Sequence, residues 1–449
     1  MKKWFVLMII FLWSPTASAI GPRGVSTTGQ PVKWASMPVT VDLESDLDVR
    51  GKDMSPLISE AMNAWVNLTE SDVVFSQASL GVAVDGSNLC CFLYESSVCP
   101  NSGLLTDGKN PWVFDEDGEI TSSFFGSGNK LTTLGFASII TSNAVTGAAI
   151  KGEAVFNVAC LKGVESSGCA ALGLSFTDDD VTSFMVHEGG HFLGLDHSQV
   201  NLKEATDNDP SNDNLITTMY PQFIIGNGAN FKTPERDDQV GLAQLYPSTT
   251  FSSSTWTITG KVSNTDGKTG LQCANVIARN TANPRVDAIA ALSGDFAAAG
   301  VKNGDYQVLG LQPGASYTLE VEPIGSKFTG ASGYTPCRGT NGESAPPQFT
   351  SQASQTTYTA AAGETKTGID FTLSGVSALV ALLDEEPAAI DIVNTSEAEN
   401  AETRDIEDQI AAIELKSKWD SASCSSSATA AVTASSGGCS LIPESKQLY

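Results

Sequence analysis

The three histidines of this 449-residue chain all fall between positions 187 and 197, in His187-Glu188-Gly189-Gly190-His191-Phe192-Leu193-Gly194-Leu195-Asp196-His197. On a helix, His187 and His191 share one face a turn apart and can bind one metal ion. Glu188 stands one step round from His187, within reach of a water on that ion. Gly194 can take the left-handed backbone that ends a helix and turns the chain back, returning His197 as a third ligand. Three nitrogen ligands with a fourth position left for water describe a catalytic zinc site rather than a structural one. The plainer alternative is a helix carrying histidines on a polar face. It has no use for Gly189 and Gly190, which cost about 1 kcal/mol each in helix propensity. Phe184, Val186, Leu193 and Leu195 give the helix a buried side. Thr177 or Asp178 can cap it, and Asp179 and Asp180 suit its first turn.

The extended motif resembles that of the metzincin zinc peptidases, and His197-Ser198 resembles their matrixin branch. Some twenty residues on, Thr218-Met219-Tyr220-Pro221 resembles the matrixin Met-turn. The resemblance implies zinc held by His187, His191 and His197, with Glu188 as the acid–base residue. It gives Gly194, Met219, Tyr220 and Pro221 supporting roles, the methionine forming a hydrophobic floor. Pro221 to Phe223 would resemble the wall of the pocket for the residue after the cut. Residues 33–248 are expected to form this domain, an α+β unit with a twisted sheet and an active-site helix. The strand expected at 134–140 would line the cleft and pair with extended substrate. Between Ala19 and Trp34 there is no cysteine, so a cysteine switch for latency is not expected. A second zinc held by histidines is excluded, since all three are committed.

Lys2 and Lys3, the apolar run Trp4 to Trp13, and Ala17-Ser18-Ala19 follow the order of a secretory signal peptide ending at residue 19. A membrane anchor would need about 20 apolar residues, so no transmembrane anchor is expected. Export lets disulfides persist. Nine cysteines cannot all pair within one chain; Cys160–Cys169, Cys90 or Cys91 with Cys99, Cys273–Cys337 and Cys424–Cys439 are the candidate pairs. With 51 acidic against 25 basic residues, nucleic acid and anionic membranes are poor partners. Asp115-Glu116-Asp117-Gly118-Glu119 and the acidic stretch 204–213 read as solvated loops, with structural calcium as the second reading.

Residues 20–32 read as an N-terminal arm. Val39–Leu43 alternates like a strand, Ser55-Pro56 opens an amphipathic helix with serine as its cap, and Val73–Phe75 reads as the next strand. Residues 154–158 read as a strand before the motif helix, and a last helix ends near Pro247. Residues 249–254 have the composition of a linker. Strands at 256–262, 275–278, 306–309, 317–321 and 369–373 then make 255–375 an all-β sandwich. It resembles carboxypeptidase-regulatory modules, and its partner is unknown. Residues 376–449 are acidic and low in complexity, with a helix expected at 401–419. Their Gly437-Gly438-Cys439 is read as an ordinary tail, with cell-surface attachment as the minority reading.

The expected function is that of a secreted zinc endopeptidase acting on protein or peptide substrates. The alternatives are a noncatalytic, zinc-stabilised surface-binding or adhesion protein, and a zinc hydrolase of a non-peptide amide or ester.

Overall fold

A computed structural model describes residues 20–377 except 95–98, 100–101, 206, 208, 210, 222, 225–226, 295–302 and 325–347, together with 440–441. The expected signal peptide, the 401–419 helix, Cys337, Cys424 and Cys439 lie outside the described residues. The chain is mixed α and β, organised around a central sheet. Its strands are β1 (Val39–Leu43), β2 (Phe75–Ser79), β3 (Pro111–Asp115), β4 (Gly135–Ser142) and β5 (Ala149–Asn157). They lie in the order β4-β5-β3-β1-β2, all neighbours parallel except β4, which is antiparallel to β5. Ser440–Leu441 pairs beyond β4 at Ser142 and Thr141.

Three helices matter for the site: α1 (Ser55–Val66), α2 (Asp178–Phe192) and α3 (Arg236–Leu245). The expected apolar face of α1 is its buried face, with Leu57, Ile58, Ala61, Met62 and Trp65 all inside. Serine is not its cap: Met54 holds that position, and Ser55 donates its N–H to Asp53 at 2.9 Å. Helix α2 packs against α1 and across β4 and β5. Thr177 caps it in a reciprocal box, Asp180 N–H to Thr177 Oγ1 at 3.2 Å and Thr177 N–H to Asp180 at 2.9 Å.

Strand β3 escaped the sequence reading because every one of its five residues is buried, leaving no alternation to detect. Asp115, expected in a solvated acidic turn, ends this strand and is 1% exposed. Its carboxylate accepts the N–H groups of Ile120 and Thr121 at 3.2 and 2.7 Å, capping a short helix over Glu119–Phe125. Disulfides join Cys90 to Cys99 and Cys160 to Cys169.

Residues 256–372 build two further sheets. One holds β7 (Ala274–Asn280) between β8 (Ala288–Leu292) and β10 (Tyr317–Pro323), with Gln352–Ala353 beyond β10. The other pairs β6 (Trp256–Ser263) with β9 (Asp305–Leu311) and with short segments at Thr365–Lys366 and Phe371–Thr372. Their shared interior holds Trp256, Tyr306 and Tyr317, the rings of Trp256 and Tyr317 lying 5.8 Å apart edge to face. Phe251, in the segment with linker composition, is buried within a helical turn over Phe251–Ser254.

Candidate metal centre

The end of α2 is where the site is built. A helix C-terminus leaves carbonyls without helical partners, and here side chains take two of them. Trp34 donates its indole N–H to Phe192 O at 2.8 Å, and Tyr246 its hydroxyl to Leu193 O at 2.6 Å. Gly194 then turns the chain at φ +97°, and a Cβ there would meet Val32 O at 2.6 Å. The turn returns His197 to the helix face. The ring centroids of His187, His191 and His197 lie 4.6 to 5.3 Å apart, and their ligand atoms all fall within 4.8 Å of one another.

Hydrogen bonding fixes which nitrogens face inward. His187 Nδ1 lies 2.8 Å from Thr218 O, and His191 Nδ1 lies 2.8 Å from Leu195 O. A carbonyl only accepts, so each Nδ1 carries the proton and each Nε2 presents a lone pair in the neutral ring. Burial, reinforced by the charge of Arg23, keeps the rings neutral, taking His187 down to about 4 and the other two well below their ordinary value. His191 Nε2 and His197 Nε2 stand 3.1 Å apart. A tetrahedral zinc with bonds of about 2.1 Å sets its ligand atoms roughly 3.4 Å apart. The three histidines could hold a metal ion, and a donor set of three imidazoles is compatible with zinc.

Glu188 is 7% exposed, and its Oε2 is buried without a protein partner. Burial pushes its pKa up to about 8, against the opposing pull of Arg23 and of the Ala137 N–H bonded to it. Gly135 makes room for this carboxylate, since a Cβ there would lie 2.9 Å from Glu188 Cγ. The strand expected at 134–140 therefore lies beside Glu188, as β4.

Met219 is fully buried beneath α2, where a Cβ on Gly190 would come within 2.4 Å of its Sδ. This is what the second glycine of the motif is for. The turn is held by Asp238, whose carboxylate accepts Thr218 N–H at 2.9 Å and Met219 N–H at 3.3 Å. Ser198 N–H reaches Met219 O at 2.9 Å, tying the turn to the third histidine's loop. Tyr220 is buried, and Phe223 packs edge-on to Phe176 and Phe184.

Sequence reasoning missed Arg23. The arm carrying it runs against the loop after α2, with Arg23 N–H on Gly194 O at 2.8 Å and Pro22 bridged to Leu195. Its guanidinium donates to Ala137 O on β4. Nothing in Gly21-Pro22-Arg23-Gly24 announces this, because the contact is made across the fold.

No protein-family model matches the chain, and no curated protein matches it. Among the described residues, no helix is long and apolar enough to cross a membrane.

Proposed function

We propose that the protein is a zinc-dependent endopeptidase, exported through a cleaved signal peptide, that hydrolyses bonds within protein or peptide substrates. One observation carries the reading: three imidazoles offer ligand atoms within 4.8 Å of one another, and the glutamate that follows the first of them in sequence has a buried carboxylate oxygen with no protein partner. The motif and the Met219 floor agree with the resemblance to matrixin-like metzincins, and the two disulfides suit an oxidising compartment.

His187, His191 and His197 would hold the ion. A bound zinc supplies a Lewis acid that lowers the pKa of a water and polarises a carbonyl. Glu188 Oε2 takes the proton of the attacking water and delivers it to the departing amine. Ala137 N–H favours the charged form of that carboxylate. An extended substrate would run along β4, the strand that carries this N–H. The carboxylate also tells against a purely structural zinc, which would not require a buried acid costly to ionise.

Purified protein incubated with an unfolded protein substrate should cleave it, stop on adding a chelator, and recover with stoichiometric zinc. Cleavage that persists after complete metal removal would refute the reading, as would tight zinc binding with no cleavage of any polypeptide.

A further inference from the structure

The four residues after His197 form an irregular stretch that is nonetheless buried: Ser198 1%, Gln199 6%, Val200 1% and Asn201 2% exposed. A buried loop must find partners for its polar groups, and here the two-sheet unit supplies several of them, directly or through Asp237 of α3. Ser198 donates its hydroxyl to Asp237 at 2.6 Å, and the other oxygen of that carboxylate accepts Ala290 N–H of β8 at 2.8 Å. Gln199 Nε2 reaches Glu322 at 3.0 Å and Pro323 O at 3.1 Å, both on β10. Val200 packs into a small cluster with Ile277, Ala288 and Ala290. Asn201 sits at φ +65°, accepts from Arg279 Nη1 at 2.8 Å and donates to Arg285 O at 2.7 Å.

We infer that the two-sheet unit is a working part of the metal site, setting the position of His197 by clamping residues 198–201 against β7, β8 and β10. The inference rests on the metal-centre part of the reading above and is independent of what is cleaved. His187 and His191 are fixed by the helix they stand on. His197 has no such support: it follows a glycine turn, and its Nδ1 has no protein partner. Its place is set by the backbone on either side: downstream, Ser198 N–H donates to Met219 O and residues 198–201 are clamped against the second unit. Asp237 and Arg279 are thus positioning residues. The unit is no passive spacer.

The test uses the full-length protein. Asp237→Asn and Arg279→Met, one from each side of the contact, should each weaken zinc at least tenfold in chelator competition. Both should alter the visible absorption of the cobalt-substituted protein, which reports ligand geometry. Peptide hydrolysis should fall in kcat more than in KM. Tyr306→Phe is the control, since it removes the hydroxyl bond to Ile369 O within the unit, a bond in which residues 198–201 take no part. It should lower thermal stability while leaving zinc affinity and the cobalt spectrum unchanged. Gln199→Ala, which removes the bonds to Glu322 and Pro323, keeps the test open where a harsher variant does not fold. Zinc affinity within threefold of wild type in all three loop variants would overturn the inference. So would an equal loss in the Tyr306→Phe control. Tight zinc in the wild type without peptide hydrolysis would sink the peptidase reading and leave this one standing.

Discussion

Glu188 is held in a conflict that its chemistry requires. Its burial disfavours the charged form, while Arg23 and the Ala137 amide favour it. Replacing it with alanine should leave zinc content unchanged and lower kcat by about 10²–10⁴-fold, the range for losing a positioned acid–base group. Metal analysis alongside peptide kinetics checks this, and appreciable turnover would refute the assigned role. The conflict also has a signature in the metal-free protein. A glutamate in the unfolded chain titrates near 4.5, whereas folded Glu188 keeps its proton up to about 8. Between those values the folded state binds more protons than the unfolded one, so stability is full below pH 4.5 and falls as pH rises. His187 acts oppositely, with a folded pKa of about 4 against 6.5, so its contribution is lost as pH falls through that window. Glu188→Gln removes the first effect alone. The melting temperature of the metal-free glutamine variant should therefore pull ahead of wild type as pH rises from 4.5 to 8. A gap constant across that range would contradict the burial of an ionisable carboxyl.

At the scale of elements, α2 shows two glycines overriding helix propensity. Propensity alone makes Gly190→Ala stabilising by about 1 kcal/mol. Packing says otherwise, because the new methyl would meet Met219 Sδ at 2.4 Å and Trp65 Cζ2 at 3.0 Å. Overpacking costs about 1–3 kcal/mol, so Gly190→Ala should melt lower than wild type, and adding Met219→Ala should recover part of the loss. A stabilised single variant would place Met219 elsewhere. This helix was legible in the sequence because its constraints are local: ligands a turn apart, a capping threonine, and a glycine where the backbone turns. Strand β1 and the buried face of α1 were legible by their periods. The strand β8 was not, since Ala288-Ile289-Ala290-Ala291-Leu292 is alanine-rich and too short to show a period. Arg23 and the clamp on residues 198–201 were not legible either, because their partners lie far off in sequence and only the fold brings them together.

At the scale of the molecule, Arg236 joins parts that sequence reading kept apart. It opens α3, and its guanidinium binds Glu70, just beyond α1, through Nη1 at 2.7 Å and Nη2 at 3.2 Å. The same Nη2 donates to Gly310 O on β9. Gly310 packs so closely on the Val240 side chain of α3 that a Cβ there would lie 2.6 Å from its Cγ2, and the missing side chain lets the carbonyl reach the guanidinium. Arg236 and Glu70 are 12% and 23% exposed at the side chain, which places the pair between a screened surface bridge and a buried one. Removing the guanidinium strands both a carboxylate and a carbonyl, so Arg236→Met should cost about 2 kcal/mol, the range for hydrogen bonds to charged groups. A planar fork can serve Glu70 and Gly310 together, whereas an ammonium on a flexible stem cannot hold the same geometry. Arg236→Lys should therefore lose most of that stability despite keeping the charge. Calorimetry decides both points. A lysine variant as stable as wild type would mean that charge alone binds the two halves. A second, separate transition in Arg236→Met would show that this residue is what makes them unfold as one.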